Sequence, residues 1–121
     1  MANEIKYQIV FSATKGFLSY ATDTTRLTAD MAGTVATAGA QSVGTSAEAI
    51  VMNDVATAGW AYFRNLDATN NVEIGTGTAG SFVGFAKLKP GEAALIRLGT
   101  NAPTARSSAS TVVLQYQIMA D

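Results

Sequence analysis

Apolar and polar positions alternate with a period of two at both ends of the chain. Near the start, Ile5, Tyr7, Ile9 and Phe11 fall on one face and Glu4, Lys6 and Gln8 on the other. Near the end, Val112, Leu114, Tyr116 and Ile118 oppose Gln115 and Gln117. That period is the mark of a half-buried strand, since a helix would scatter the same apolar residues around its axis. Matching lengths and apolar faces predict that 4–11 and 111–119 pair or share one sheet. Between them, Asp23–Thr28 reads as a strand rich in β-branched Thr, and Glu48–Met52 as a short buried strand or one helical turn, its length favouring the strand. Trp60–Leu66 sets Trp60, Tyr62 and Arg64 against Ala61, Phe63 and Asn65. Aromatic residues on both faces suit a central strand, covered fully on one side and partly on the other. Val72–Ile74, Ser81–Leu88 and Ala93–Leu98 complete the series.

The breaks between these runs carry turn chemistry. Lys15-Gly16 and Asn53-Asp54 read as turns. Asn65 to Asn71 holds three Asn and one Asp, which bond their own backbone and form a corner. Gly75–Gly80 is a glycine-rich hairpin loop, without the Gly-Lys-Ser/Thr end and following helix of a phosphate loop. Lys89-Pro90-Gly91-Glu92 predicts a type II turn, with proline pre-setting φ and glycine supplying the positive φ. The Gly/Ala/Thr/Ser-rich run from Met31 to Ser46 admits a loop or two short strands, Thr34–Ala38 and Ala40–Thr45, turned at Gly39; Val35 and Val43 favour the strands. The result is about eight strands at the spacing of an all-β sandwich or barrel. A single jelly-roll-like β-sandwich over 1–121 is expected, with 1–14 as an extended N-terminal arm and an immunoglobulin-like sandwich as the alternative. Its structural core is expected to include Trp60, Tyr62, Phe63, Phe82, Leu114 and Tyr116.

Composition narrows the function. In 121 residues, 48% are apolar but only 14% are charged, against roughly 25% in ordinary soluble domains. Much of the apolar share is alanine, so the surface has little charge to keep copies apart, as suits a protein that works in an assembly. Net charge is −1 with no basic patch, which argues against nucleic acid. No apolar run approaches a membrane helix, and the N-terminus lacks a basic, then apolar, leader pattern. Neither histidine nor cysteine is present, which removes the usual general base, the thiolate nucleophile and most zinc or copper sites. No disulfide is possible, which fits synthesis in a reducing cytoplasm. No cofactor is expected.

The remaining candidates are carboxylates, aromatic side chains and arginines. Asp67, Glu73 and Asn65 could offer oxygen ligands to calcium, but their spacing is not that of an EF-hand, and such corners are ordinarily turns. The same carboxylates as a glycosidase pair have no cleft to support them. Trp60 and Tyr62, with Phe63, could form a sugar platform, although alternating aromatics are more often core. Arg64 and Arg97 are expected in structural ion pairs with carboxylates such as Asp67 or Glu92.

Gly59-Trp60-Ala61-Tyr62-Phe63-Arg64-Asn65-Leu66-Asp67, then Asn71-Val72-Glu73-Ile74-Gly75, Phe82-Val83 and Leu88-Lys89-Pro90-Gly91-Glu92 form a recognisable series. With the tail Val112, Leu114, Tyr116 and Ile118, it resembles small structural proteins of tailed bacteriophage virions, most of all capsid decoration (cement) proteins. The resemblance covers Gly59 to Asp121. It implies a non-enzymatic virion protein, made in the host cytoplasm, that binds the capsid surface as a homotrimer. Its partner would be the major capsid protein, with neither nucleic acid nor membrane involved. A tail or head-fibre subunit would carry the same pattern. A host-glycan binding module working through Trp60, Tyr62 or Phe17 is the competing reading.

Overall fold

The computed structural model describes residues 3–22, 24–99 and 101–121. Asp23, at the start of an expected strand, Thr100 and the first two residues of the expected arm lie outside them. The chain divides into two compact units at Ala32/Gly33, where one domain was expected.

The first unit is built from hairpin pairings alone. Strand β1 (Ile5–Gln8) pairs antiparallel with β4 (Arg26–Ala29). Strand β2 (Ser12–Lys15) pairs with β3 (Leu18–Ala21). Gly16 and Phe17 form the two-residue loop, and Gly16 holds φ at 58° while Phe17 does not share the positive φ. That is the requirement of a type II′ turn, whose twist matches the flanking strands. The pairing places Ile5 opposite Ala29 and Tyr7 opposite Leu27 on one face, with Lys6, Gln8, Arg26 and Thr28 on the other. Among the described residues up to Ala32, none is buried.

The second unit is a β-sandwich of two four-stranded sheets. One sheet has the order β10 (Ala93–Arg97), β7 (Ala58–Asn65), β12 (Val112–Ala120), β5 (Ala36–Val43). The other runs β6 (Glu48–Ala49), β11 (Thr104–Ser107), β8 (Val72–Thr76), β9 (Val83–Leu88). The β-sandwich expected from the strand spacing is therefore present, and the only helix among the described residues is one 3-10 turn, Ala79–Ser81. Alternate residues face inward: Ala61, Phe63 and Asn65 from β7, and Val112, Leu114, Tyr116 and Ile118 from β12 are all buried. Val72, Ile74, Leu88 and Ala105 meet them from the second sheet in a single apolar cluster. Inner faces of two packed sheets meeting in this way are the usual sandwich core.

Four expectations change. The terminal strands do not share a sheet: β12 lies between β7 and β5, while β1 pairs with β4. Gly39 is not a turn but the middle of one continuous strand. A Cβ built on it would come 3.2 Å from the Tyr116 hydroxyl, so the small residue makes room for the ring from β12. Of Glu48–Met52, only Glu48 and Ala49 are strand. Of the expected core set, Phe63, Leu114 and Tyr116 are buried, but Trp60, Tyr62 and Phe82 are only half-buried. The reason is parity. Trp60 and Tyr62 lie on the opposite side of β7 from Phe63, and only one side of a strand can face the second sheet.

The turn chemistry is as expected at two places. Lys89–Glu92 closes with the Glu92 N–H donating to the Lys89 carbonyl at 3.0 Å, with Gly91 at φ 80°. Asn53-Asp54 closes through the Val55 N–H to the Met52 carbonyl at 2.9 Å.

Candidate interaction surfaces

The Asn-rich corner is organised by Asn65, whose side chain is fully buried. Its Nδ2 donates to the carbonyls of Asn70 at 2.8 Å and Leu88 at 3.1 Å, and its Oδ1 accepts from the Asp67 N–H at 2.9 Å. Its own N–H and carbonyl bond the backbone of Glu92 and Gly91. One residue thus ties the end of β7 to the corner, to the end of β9 and to the Lys89–Glu92 turn. A buried amide is tolerated when its donors and acceptor are matched, and here they are. Asp67 turns its carboxylate onto the N–H groups of Asn70 (2.6 Å) and Thr69 (2.9 Å). Those two bonds, Asn70 first, hold its pKa below the usual carboxylate range.

This geometry disperses the oxygen set considered for calcium. Asn65 Oδ1 and Asp67 are committed to backbone N–H groups, and Glu73 accepts from Arg106 Nε at 2.8 Å. Among the described residues, no three Asp or Glu side chains gather to hold a metal ion. Of the two arginines expected in ion pairs with carboxylates, Arg97 forms one and Arg64 forms none among the described residues. Arg97 pairs with Asp121, Glu92 accepts from the Lys89 N–H, and Arg64 is exposed and reaches neither Asp67 nor Glu92. Phe82 lies beneath the Arg106 guanidinium, 4.5 Å from the ring centre, so it stacks on the outside of the second sheet instead of entering the core.

Three surfaces remain open to a partner. The first is the outer side of the β10-β7-β12-β5 sheet. Cross-strand registers set Leu95 beside Tyr62, Gln117 and Ala38, and Ala93 beside Arg64, Gln115 and Ala40. The second is a groove of about 390 Å³ between the edge strands β9 and β10, with Phe85, Ile96, Leu98 and Pro103 as its apolar walls and Thr76, Arg97 and Asn101 as polar lining. A β-bulge in the β8–β9 register makes Phe85 the extra residue, which re-aims its ring. The third surface is the first unit, where Val10, Phe11, Leu18 and Tyr20 are exposed and Phe17 stands fully exposed at the hairpin tip. Phe11 and Tyr20 meet edge to face at 6.3 Å.

None of these surfaces brings together a nucleophile, a base and a stabilising donor set. What they offer is burial of apolar area and unpaired strand edges. Sequence reading missed the role of Asn65, although a lone Asn between an apolar strand and an Asn/Asp corner is a usable signal. It also missed the groove, because the bulge that aims Phe85 leaves no local mark beyond Gly84. Among the described residues, no helix is long and apolar enough to cross a membrane. Comparison with protein-family models, curated proteins and solved structures finds no match to this chain.

Proposed function

We propose that this chain is a non-enzymatic structural protein of a tailed-phage virion, which decorates the capsid surface and holds neighbouring major capsid proteins together. The observation that carries the reading is the contrast within the molecule. A well-packed sandwich is joined to a two-stranded ribbon that buries none of its described residues and exposes a row of large apolar side chains. An isolated pair of strands is marginal in water, so such a ribbon acquires its stability from a surface that covers it. The low charge and the resemblance of Gly59–Asp121 to cement proteins point the same way, toward assembly as a homotrimer on a shell. In this reading the sandwich is the rigid body and the apolar surfaces are the adhesive.

Adding the purified protein to shells that lack it should raise the temperature at which they open. Failure to bind any such shell contradicts the proposal. A second reading, recognition of a host glycan, is favoured by the outward placement of Trp60 and Tyr62 on an open sheet face. Saturable binding on a glycan array, lost on Tyr62→Ala, would select it over decoration.

A further inference from the structure

A sandwich of two four-stranded sheets has four edge strands, here β10, β5, β6 and β9. An unprotected edge offers a row of N–H and C=O groups to another chain, and proteins ordinarily blunt it with charge, proline, a bulge or brevity. Three of the four edges carry such a device. β6 is two residues long, β9 is interrupted by its bulge and carries Lys87, and β10 is five residues long and ends in Arg97. β5 carries none. It runs for eight residues, Ala-Thr-Ala-Gly-Ala-Gln-Ser-Val, and the sequence holds no charged residue between Asp30 and Glu48.

The hydrogen-bond phase of β5 identifies which of its groups face outward. The Ala120 N–H donates to the Val35 carbonyl, and Ala36 is opposite Met119. In an antiparallel ladder bonded and non-bonded pairs alternate, so Thr37, Gly39, Gln41 and Val43 bond β12. Ala36, Ala38, Ala40 and Ser42 then direct their N–H and carbonyl groups away from the sheet, and all four residues are exposed. On the inner side the strand is already secured. Gln41 bonds Ala49 and Val51, and Thr37 bonds Asn53.

We propose that β5 is a self-association edge, pairing antiparallel with β5 of a second copy about a two-fold axis at Gly39. The occupant follows from self-complementarity. In the register centred on Gly39, Ala38 meets Ala40 of the other copy and Ala36 meets Ser42, so all four outward residues engage. That gives about eight interchain hydrogen bonds, more than registers centred on Ala38 or Ala40 allow. Thr37 falls opposite Gln41, and the close crossing point has glycine on both sides. No like charges oppose one another anywhere along the strand, so nothing resists pairing with itself. The product is a continuous eight-stranded sheet running through two sandwiches. This contact does not depend on the virion reading, and it joins copies in pairs whatever other symmetry they adopt.

The test uses the full chain in two double variants, Ala38→Lys/Ala40→Lys and Ala38→Glu/Ala40→Glu, which place like charges directly opposite across the proposed axis. Sedimentation up to about 1 mM should show wild-type assemblies containing paired copies. Each variant alone should weaken that association by about tenfold or more, and an equimolar mixture of the two should restore it. Amide exchange at Ala38 and Ala40 in the wild type should slow as protein concentration rises, a readout that needs no variant. Wild-type chains that stay unpaired over the whole range, variants that associate as the wild type does, or a mixture that fails to recover would each overturn the proposal. None of these outcomes bears on shell binding, which tests the virion reading separately.

Discussion

Ile5, Tyr7, Ile9 and Phe11 alternate with polar residues as regularly as Val112, Leu114, Tyr116 and Ile118 do, yet the two rows end differently. The second row is entirely buried, because β12 has a strand on each side and a second sheet beneath it. In the first row Ile5 and Tyr7 are half-buried, because β1 has one partner strand and no covering layer within its own unit, while Ile9 and Phe11 lie past the end of β1 and are exposed. Alternation therefore reports that a strand has an apolar side. It does not report what covers that side. In the sandwich the cover is intramolecular; for the ribbon we have proposed that it comes from an assembly.

The sharpest way to break this comparison is to truncate one aromatic in each region. Phe63→Ala should cost about 3–5 kcal/mol, since the ring is almost fully buried between the sheets. Phe17→Ala should change stability by no more than about 0.5 kcal/mol, because the ring contacts solvent on all sides. Urea unfolding of both variants measures the difference, and equal losses would mean that the ribbon belongs to the same cooperative core. Next in size is Asn65→Leu, which strips partners from the Asn70 and Leu88 carbonyls and from the Asp67 N–H. Leaving those groups unpaired in the interior should cost about 2–3 kcal/mol in the same assay. Gly91→Ala forces a side chain into positive φ at the turn that docks on Asn65, and should cost about 1 kcal/mol.

The smallest expected effect concerns acid. Asp67 has a folded pKa lowered by the Asn70 and Thr69 N–H groups. Its contribution is present above the usual carboxylate range and is lost as pH falls through the lowered value. Wild-type thermal midpoints should thus fall slightly more on acidification than those of Asp67→Asn, with the two converging at the acid end. Parallel curves would show that the corner does not depend on the carboxylate charge.

Much of the sandwich was legible because its elements are signalled locally. Lys89-Pro90-Gly91-Glu92 names its own turn type, and the row from Val112 to Ile118 names its own face. What was not legible depends on the third dimension. Gly39 reads as a turn until Tyr116 is placed over it. Trp60 and Phe63 look equally core-like until the second sheet selects one side of β7. Glu73 and Asp67 look like a ligand pair until Arg106 and two backbone amides occupy them. Residues 1–14 were read as an extended arm for a different reason: short strands without a buried described residue resemble an arm in composition, and only their pairing with β3 and β4 reveals a ribbon.

Amide hydrogen exchange on the 121-residue chain, at a concentration low enough to keep copies apart, tests the central claim most directly. Amides of β12 at Leu114 and Tyr116 should be protected to the level of global unfolding, while those of β1 to β4 exchange orders of magnitude faster. Slow exchange throughout β1–β4, matching that of β12 in the isolated chain, would contradict the account, because the ribbon would then need no partner to hold it.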